Sequence, residues 1–284
     1  NSASKQTKTW MFYQTDEDGN VTGGQEVTSK KQKAESATGL DYEASLIKRY
    51  AIKGHHGVAL RALAFGQSYN DHAAFNESTI NINAGYSYFD LKNQIGVSPL
   101  FEHKRYGNDG LYNAWGARAE WMHFISADKA FKLEAESKDL NYQKYKTLDG
   151  VESSAFATFW KIFPDQWTFF GGLDVLDHST QEKYMAAYQQ QGVRLGLSKS
   201  WSTGFNTTLL SSYRWRQFDK YAVGYLARRH DFEQNYTFVV QMPRFEFYGM
   251  TPNLTYRYNH NKSNVDWLYS YDKHNISLKL EHRF

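Results

Sequence analysis

Apolar and polar residues alternate at every second position through most of this chain. The last nine residues, 276–284, show the pattern most clearly, because a polar or charged side chain takes every second place. These side chains are Ser277, Lys279, Glu281 and Arg283, and the other parity includes Ile276, Leu278, Leu280 and Phe284. Successive side chains of a β-strand point to opposite faces, so the pattern predicts a strand with one charged face and one apolar face.

The same period of two recurs along the sequence and decides the fold class. The segments that show it are 79–89, 193–198, 205–216 and 253–259. A period of two indicates strands, whereas an amphipathic helix repeats every 3.6 residues. The composition agrees, since 17% of the residues are aromatic and only 4 are proline, and aromatic residues favour strands. We therefore predict an all-β chain.

Composition also excludes several classes of protein. The chain has no cysteine, which excludes a disulfide scaffold, a thiolate zinc site and a cysteine nucleophile. Its longest apolar run is 184–188, far below the roughly 18 residues of a membrane-spanning helix, and its mean hydropathy is −0.69. The 33 basic and 30 acidic residues are mixed along the chain, so no nucleic-acid partner is expected.

These features together are typical of a transmembrane β-barrel, whose outer face meets lipid and whose inner face meets water or packed polar groups. Six short and seven long connections separate the alternating segments, which predicts 14 strands. We predict one antiparallel up-and-down barrel domain, residues 1–284, in the bacterial outer membrane with both termini in the periplasm. In this barrel, segment 7–14 pairs with segment 273–284.

Tryptophan residues map to both rims of the predicted barrel, as interfacial anchoring requires. The girdle comprises Trp121, Trp160, Trp167 and Trp201 at the short-turn rim and Trp215 and Trp267 at the opposite rim. A soluble β-sandwich or an extracellular barrel is the alternative, because it also alternates. The strands of roughly a dozen residues and the bulky apolar face favour the membrane barrel.

Two segments near the C-terminus resemble a known family. Segment 247–264 reads FYGMTPNLTYRYNHNKSN and segment 269–284 reads YSYDKHNISLKLEHRF. They are similar to the end of the surface lipoprotein assembly modulator (Slam) family, in which a Gly-x-Thr-Pro segment precedes an aromatic–Arg–aromatic strand and the closing strand ends in Arg-Phe. The resemblance follows the whole chain in strand order, but its specific part is the last 40 residues or so.

The resemblance implies a 14-stranded outer-membrane barrel that follows a periplasmic helical-repeat domain, which these 284 residues do not include. It implies a non-enzymatic translocon (type XI secretion) that exports a surface lipoprotein or a secreted haem- or metal-scavenging protein. The partners expected for such a monomer are this client, outer-membrane lipids and lipopolysaccharide, the barrel-assembly machinery and a periplasmic chaperone, with no cofactor. The loops 15–36, 178–188 and 218–225 are the candidate client contacts.

Seven charged residues have the parity of the barrel interior. They are Arg194, Arg214, Arg216, Arg257, Lys279, Glu281 and Arg283. They would form either an electropositive passage for a polypeptide or anionic solute, or a mutually paired polar lining. A diffusive porin for anionic solutes would use the same residues as a selectivity ladder, so this second function stays open.

Two residues mark the predicted seam. Pro252 removes a ladder hydrogen bond in the penultimate strand, which predicts a bulge near the periplasmic turn or a weakened seam for lateral opening. Phe284, at the chain end, is both an interfacial anchor and a signal for the assembly machinery.

No metal or catalytic site is predicted. His123 and Ser126 are the pair that an outer-membrane lipase would need, but they have opposite parity and no oxyanion arrangement accompanies them. In the acidic segment 16–20, Val21 follows Asn20 at the position where a calcium loop requires glycine, and the other histidines lack metal-ligand spacing.

Overall fold

The computed structural model describes residues 8–15, 21–29, 38–70, 73–107, 109–181, 187–222 and 227–282. The chain divides into two compact units, residues 1–36 and residues 37–284. The first unit contains a hairpin of strands β1 (Lys8–Thr15) and β2 (Val21–Ser29), which pair antiparallel.

The second unit is one antiparallel sheet of thirteen strands. Most of its strands have 13 to 18 residues, which is longer than the mean strand of a soluble domain. The strands are β3 (Gly39–Lys53), β4 (His56–Tyr69), β5 (Glu77–Phe89), β6 (Asn93–Tyr106), β7 (Asp109–Ser126), β8 (Lys129–Tyr142), β9 (Gly150–Phe163), β10 (Trp167–Thr180), β11 (Tyr188–Ser200), β12 (Asn206–Ala222), β13 (Ala227–Gln241), β14 (Met250–Ser263) and β15 (Tyr271–His282).

Each strand of this sheet pairs with its neighbours in sequence, in the order β15 to β3. This confirms the predicted all-β, antiparallel, up-and-down architecture. Alternate connections meet at the same end of the sheet. The short-turn end holds 54–55, 90–92, 127–128, 164–166, 201–205 and 242–249, close to the six predicted short connections. The opposite end is called the long-loop end below.

The N-terminal region differs from the prediction. Segment 15–36 was expected to be a loop, but it contains β2, whose Val21, Thr22, Val27 and Thr28 are β-branched and favour a strand. Strand β1 pairs with β2, and the predicted pairing of segment 7–14 with segment 273–284 stays a prediction. Among the described residues the large sheet has thirteen strands and the hairpin has two, and the closure of 14 strands into one barrel stays a prediction.

Pro252 does not produce the bulge that was expected. Strand β14 keeps a continuous register with β15 from Met250 to Asn261, and Pro252 lies opposite Leu280. The carbonyl of Pro252 accepts a hydrogen bond from the Met242 N–H at 3.0 Å. The N and C=O of one strand residue point to the same side, so the position of the N–H that Pro252 lacks faces β13. The regular pairing of β13 with β14 ends there, at Gln241 opposite Asn253.

The sheet has two chemically different faces. Residues directly opposite each other on antiparallel strands share a face, and this assigns Glu102, Arg118, Lys138, Asp174 and Arg214 to one side, called the charged face. The other side, called the apolar face, carries exposed Leu, Ile, Val and aromatic side chains. They include Ile82, Leu133, Leu173, Leu195, Leu209 and Leu278, each at least 40% exposed. An apolar surface of this extent marks contact with a membrane or another protein.

Among the described residues, none of the helices has the length and apolarity needed to cross a membrane.

Candidate functional site

The charged face carries three clusters of ion pairs, and the first joins strands β4, β7 and β8. Arg118 contacts Glu134 and lies 3.8 Å from carboxylate oxygens of Glu120 and Glu136. Arg61 Nη2 on β4 lies 3.5 Å from Glu120 Oε1 on β7. Strands lie about 4.8 Å apart, so a pair that spans β5 and β6 requires the sheet to curl towards this face. The charged face is therefore concave here.

The second cluster surrounds a buried lysine nearer the long-loop end. Lys138 is 8% exposed, and its Nζ lies 3.2 Å from Glu102 Oε1, 3.6 Å from Glu136 Oε1 and 3.1 Å from Glu152 Oε1. The Tyr112 hydroxyl donates to Glu102 Oε1 at 2.7 Å. One cation thus holds together carboxylates from three strands, which fixes the positions of β6, β8 and β9 on this face.

The third cluster brings together three of the arginines predicted for the barrel interior. Asp174, which is 3% exposed, lies between Arg194 Nε at 3.3 Å and Arg214 Nε at 3.7 Å. Glu233 lies 3.9 Å from Arg214 Nη1 and 3.8 Å from Arg216 Nη2. Arg216 also donates to Gln190 Oε1 at 2.8 Å. These contacts fit the interpretation of a mutually paired lining better than that of an open electropositive passage.

The remaining predicted interior residues lie on β14 and β15. Arg257 and Lys279 have the parity of the charged face, opposite Asn275 and Asn253. Glu281 Oε2 accepts a hydrogen bond from Asn253 Nδ2 at 2.9 Å. Arg283 and Phe284 lie outside the described residues. Among the described residues, the ion pairs of the third cluster lie on β10 to β13 and do not continue onto β14 and β15.

A cavity of about 360 Å³ opens on the charged face over β4, β5 and β6. Its floor consists of small residues, among them Ala59, Gly85, Ser87, Gly96 and Ser98, and it is bordered by Arg49, Arg61, Arg118 and Glu120. Arg49 donates to two neutral acceptors, Ser87 Oγ at 3.0 Å and the His55 carbonyl at 2.7 Å. Nothing in the alternation pattern pointed to this recess, because small residues carry no polarity signal.

The structure places the six tryptophans of the predicted girdle in different environments. Trp121, Trp167 and Trp215 have the parity of the apolar face, and Trp201, just beyond the end of β11, is 44% exposed. Trp160 is a correction, because it lies opposite Ala130 and Phe170 on the charged face. Its neighbour Lys161 takes the apolar-face position instead, with its ammonium above the Phe163 ring. Trp267 lies in the short helix α1 (Asp266–Tyr269), not in a strand.

Two aspartates stabilise turns at the short-turn end. Asp90 Oδ1 accepts the backbone N–H groups of Lys92 at 2.7 Å and Asn93 at 2.5 Å, and these bonds lower the pKa of the Asp90 carboxyl to about 2. Contacts from Lys161 and from Ser126 Oγ lower the pKa of Asp128 to about 2. Both carboxylates are therefore charged at neutral pH and hold their turns.

The hydrolase alternative gains no support from the geometry. His123 Nδ1 lies 3.0 Å from Asn93 Oδ1, and the Ser126 hydroxyl donates to Asp128 at 2.6 Å. Within the part of the chain that the structure describes, no group of three or more His, Asp or Glu residues is arranged to hold a metal ion. The acidic segment 16–20 lies outside the described residues.

Comparisons with known proteins identify the family. The family model "Surface lipoprotein assembly modifier" matches residues 1–284. The "Hemophilin secretion modulator" of Acinetobacter baumannii is 90% identical over 284 residues, which are 100% of this chain and 57% of that protein. "Surface lipoprotein assembly modifier 2" of Haemophilus influenzae (strain ATCC 51907 / DSM 11121 / KW20 / Rd) is 26% identical over 87% of this chain and 52% of its own length. The chain thus spans about half the length of the relatives it matches.

Two solved structures match most of the chain at low identity. The CymD monoaromatic hydrocarbon channel has a TM-score of 0.44 and 11% identity, and the match covers 86% of this chain and 87% of that one. OccK8 (OprE) of Pseudomonas aeruginosa has a TM-score of 0.40 and 9% identity, covering 92% and 94%. Because the family model matches the chain from residue 1 to residue 284, the chain belongs to the surface lipoprotein assembly modifier family.

Proposed function

We propose that this chain is the outer-membrane barrel of a translocon that exports one specific client protein across the bacterial outer membrane. The observation that carries the proposal is the family match over residues 1–284, together with the 90% identical relative named for hemophilin secretion. The client is a surface lipoprotein or a secreted haem- or metal-scavenging protein such as hemophilin. The chain acts without catalysing a reaction.

The fold that we propose for this role is a closed 14-stranded barrel, residues 1–284, with both termini in the periplasm. The sheet supplies thirteen strands with β15 and β3 at its edges, and one strand of the region 8–29 would supply the fourteenth by pairing with both β15 and β3. The exposed apolar side chains of β15, Ile276 at 74% and Leu278 at 68%, are suited to lipid. Closure can be tested with Ile276→Cys paired with single cysteines along 8–15, where a disulfide in one register supports the seam.

The client would cross either through the barrel interior or through this seam. On the interior route, an extended segment would meet the ion-paired charged face and the recess bordered by Arg49 and Arg61. On the seam route, β15 would separate from the proposed fourteenth strand. Pro252 and Phe284 are the residues predicted for this seam. The periplasm offers no ATP, so folding of the client outside the cell, or its capture by a periplasmic chaperone, supplies the direction of transport. Lipopolysaccharide surrounds the barrel, and the barrel-assembly machinery inserts it.

The test is an export experiment in a Gram-negative host. The full-length protein is produced together with hemophilin or another candidate client, and the client is quantified on the cell surface and in the medium. Export that depends on the barrel and leaves unrelated periplasmic proteins inside supports the proposal. A client that stays in the periplasm with a folded, inserted barrel contradicts it.

A diffusive porin for anionic solutes is the alternative that the sequence left open. Three of its candidate selectivity residues, Arg194, Arg214 and Arg216, lie beside carboxylates of Asp174 and Glu233, which weakens their field for a passing anion. Planar-bilayer recordings distinguish the two functions. A porin gives stable conductance whose ion selectivity changes with Arg214→Glu or Arg257→Glu, whereas a filled secretion barrel conducts little.

A further inference from the structure

The short-turn end of β8 to β11 carries lysines and aromatic rings on the apolar face. Cross-strand pairing places them on this face of four neighbouring strands and the turn beyond β11. We call this set the basic–aromatic patch, and it consists of Lys129, Lys161, Phe163, Trp167, Lys199 and Trp201.

Lys199 lies at the centre of the patch between two indole rings. Its Nζ lies 4.4 Å from the centroid of Trp167, its direct cross-strand partner, and 4.5 Å from the centroid of Trp201. The Trp201 Nε1 donates to Thr207 Oγ1 at 2.9 Å, which orients that ring. In the described parts of the chain, no carboxylate lies within ion-pair distance of Lys199. The cation is therefore held in place and is open to an anion from outside.

Lys129 and Lys161 add a second cationic position. They lie directly opposite each other on β8 and β9, and like charges at such positions repel. Lys161 contacts Asp128 and lies 5.7 Å from the Phe163 ring, so one carboxylate offsets part of the repulsion. Over the described residues, Lys129 makes no ion pair. An added anion between the two ammonium groups would relieve the remaining repulsion.

The patch lies at the boundary between apolar and polar surface. On the side away from the turns, the same face carries Phe131, Phe159 and Leu197. On the other side are the turns 127–128, 164–166 and 201–205. Long lysine side chains reach from an apolar surface to the polar headgroup layer of a membrane, and tryptophan prefers the same layer.

The two ends of the apolar face differ in charge. Outward-facing charges at the long-loop end include Asp139, Asp177 and Asp272, each classed with the exposed residues, together with Lys262 on β14. Another lysine occurs on this face towards the short-turn end of β3, where Lys48 Nζ lies 5.2 Å from the Tyr50 ring. Arg105 on β6 and Arg228 on β13 add positive charge at the long-loop end. Towards the short-turn end, by contrast, the Lys, Arg, Asp and Glu residues on this face of the described strands are all lysines, so that end is the more positive of the two.

We propose that the basic–aromatic patch binds the phosphate headgroup of an anionic phospholipid in the membrane leaflet at the short-turn end. Lys199 would donate to one phosphate oxygen while Trp167 and Trp201 flank the glycerol region, and Lys129 with Lys161 would hold a second headgroup. The inference rests on the proposed membrane barrel but not on the export of a client. It assigns the periplasmic leaflet a specific lipid contact.

The test measures lipid selectivity of the full-length protein. The protein is purified in a neutral detergent, delipidated, and titrated with phosphatidylglycerol or phosphatidylcholine while bound lipid is counted by native mass spectrometry. We expect the parent to bind phosphatidylglycerol about fivefold more tightly, the size of effect that one lysine near an anionic headgroup gives. Lys199→Gln should lose most of this preference, and Lys199→Arg should keep it.

Lys262→Gln is the matched control, because it removes an outward lysine at the opposite end of the sheet. We expect it to leave the preference unchanged. Equal binding of the two lipids by the parent, or an equal loss in Lys262→Gln and Lys199→Gln, overturns the inference. A protein that exports its client but shows no lipid preference overturns this inference alone, whereas one that fails to insert into phosphatidylcholine–phosphatidylglycerol vesicles overturns the membrane barrel on which both proposals rest.

Discussion

Arg194 Nε lies 3.3 Å from Asp174 Oδ1, so a nearly buried carboxylate on β10 holds a guanidinium on the next strand. Arg214, one strand further, approaches the other oxygen of Asp174 at 3.7 Å. A single negative charge therefore offsets two positive charges that repel each other. This relationship makes Asp174 an element of stability on the charged face.

We predict that Asp174→Asn lowers the free energy of unfolding by about 2 kcal/mol, because it leaves Arg194 without a countercharge and Arg214 with Glu233 alone. Urea titration of the chain in lipid vesicles measures this change. Asp177→Asn is the control, since Asp177 lies three residues along the same strand and is exposed on the opposite face. Equal effects of the two substitutions would show that the pairing with Arg194 and Arg214 contributes little.

Lys138→Met should destabilise the chain more strongly. The ammonium lies among Glu102, Glu136 and Glu152, and its removal leaves carboxylates close together on a buried part of the face. Breaking a buried ion pair costs about 3–5 kcal/mol. The same urea titration gives the value. Lys144→Met serves as the control, because the 60% exposed Lys144 side chain pairs with Asp109 in solvent, and an exposed pair contributes at most about 1 kcal/mol.

Sequence reasoning predicted the architecture well because the period of two follows directly from strand geometry, in which successive side chains point to opposite faces. In 205–216 and 253–259 each parity has one environment, so the faces of β12 and β14 were assigned correctly. Arg194, Arg214 and Arg216, which were predicted for the barrel interior, share the charged face for the same reason. Their acidic partners Asp174 and Glu233 were missed, because pairing across strands depends on register, which alternation does not reveal.

Other errors concern residues for which the alternation of apolar and polar positions was not followed or was interrupted by glycine or proline. Trp160 was assigned to the girdle by its position near a short connection, but Lys161 occupies the apolar face and keeps its charge near the rim by lying above Phe163. Strand β2 was missed because Gly23 and Gly24 interrupt its β-branched residues. Pro252 was expected to disturb its strand. It does not, because it lies beyond the last paired residue of β13, where an N–H at position 252 would find no free strand partner.

A pair of adjacent serines tests which face of the sheet meets lipid. Ser211 has the parity of the apolar face and Ser212 that of the charged face, at the same depth of β12. The chain has no cysteine, so Ser211→Cys and Ser212→Cys each introduce a single thiol. A thiol reacts as the thiolate, which needs water. We expect a water-soluble maleimide to label Ser212→Cys at least about tenfold faster in vesicles.

Unfolding in urea provides the reference for that comparison, because both thiols should then react at similar rates. A faster reaction of Ser211→Cys in vesicles would place the charged face in lipid and contradict the proposed barrel.

The turn at Asp90 should give stability that depends on pH. Its pKa falls from the ordinary value near 3.8 to about 2 in the folded chain, since the carboxylate accepts the N–H groups of Lys92 and Asn93. A lowered folded-state pKa contributes stability that is complete above the unfolded pKa and is lost as the pH falls through the folded value. The gap in unfolding free energy between the parent and Asp90→Ala should therefore be constant above about pH 5 and close towards pH 2. Urea titrations across this range measure the gap, with Glu246→Ala in another short turn as the control, and a gap that does not change with pH would contradict the assigned role of the Asp90 carboxylate.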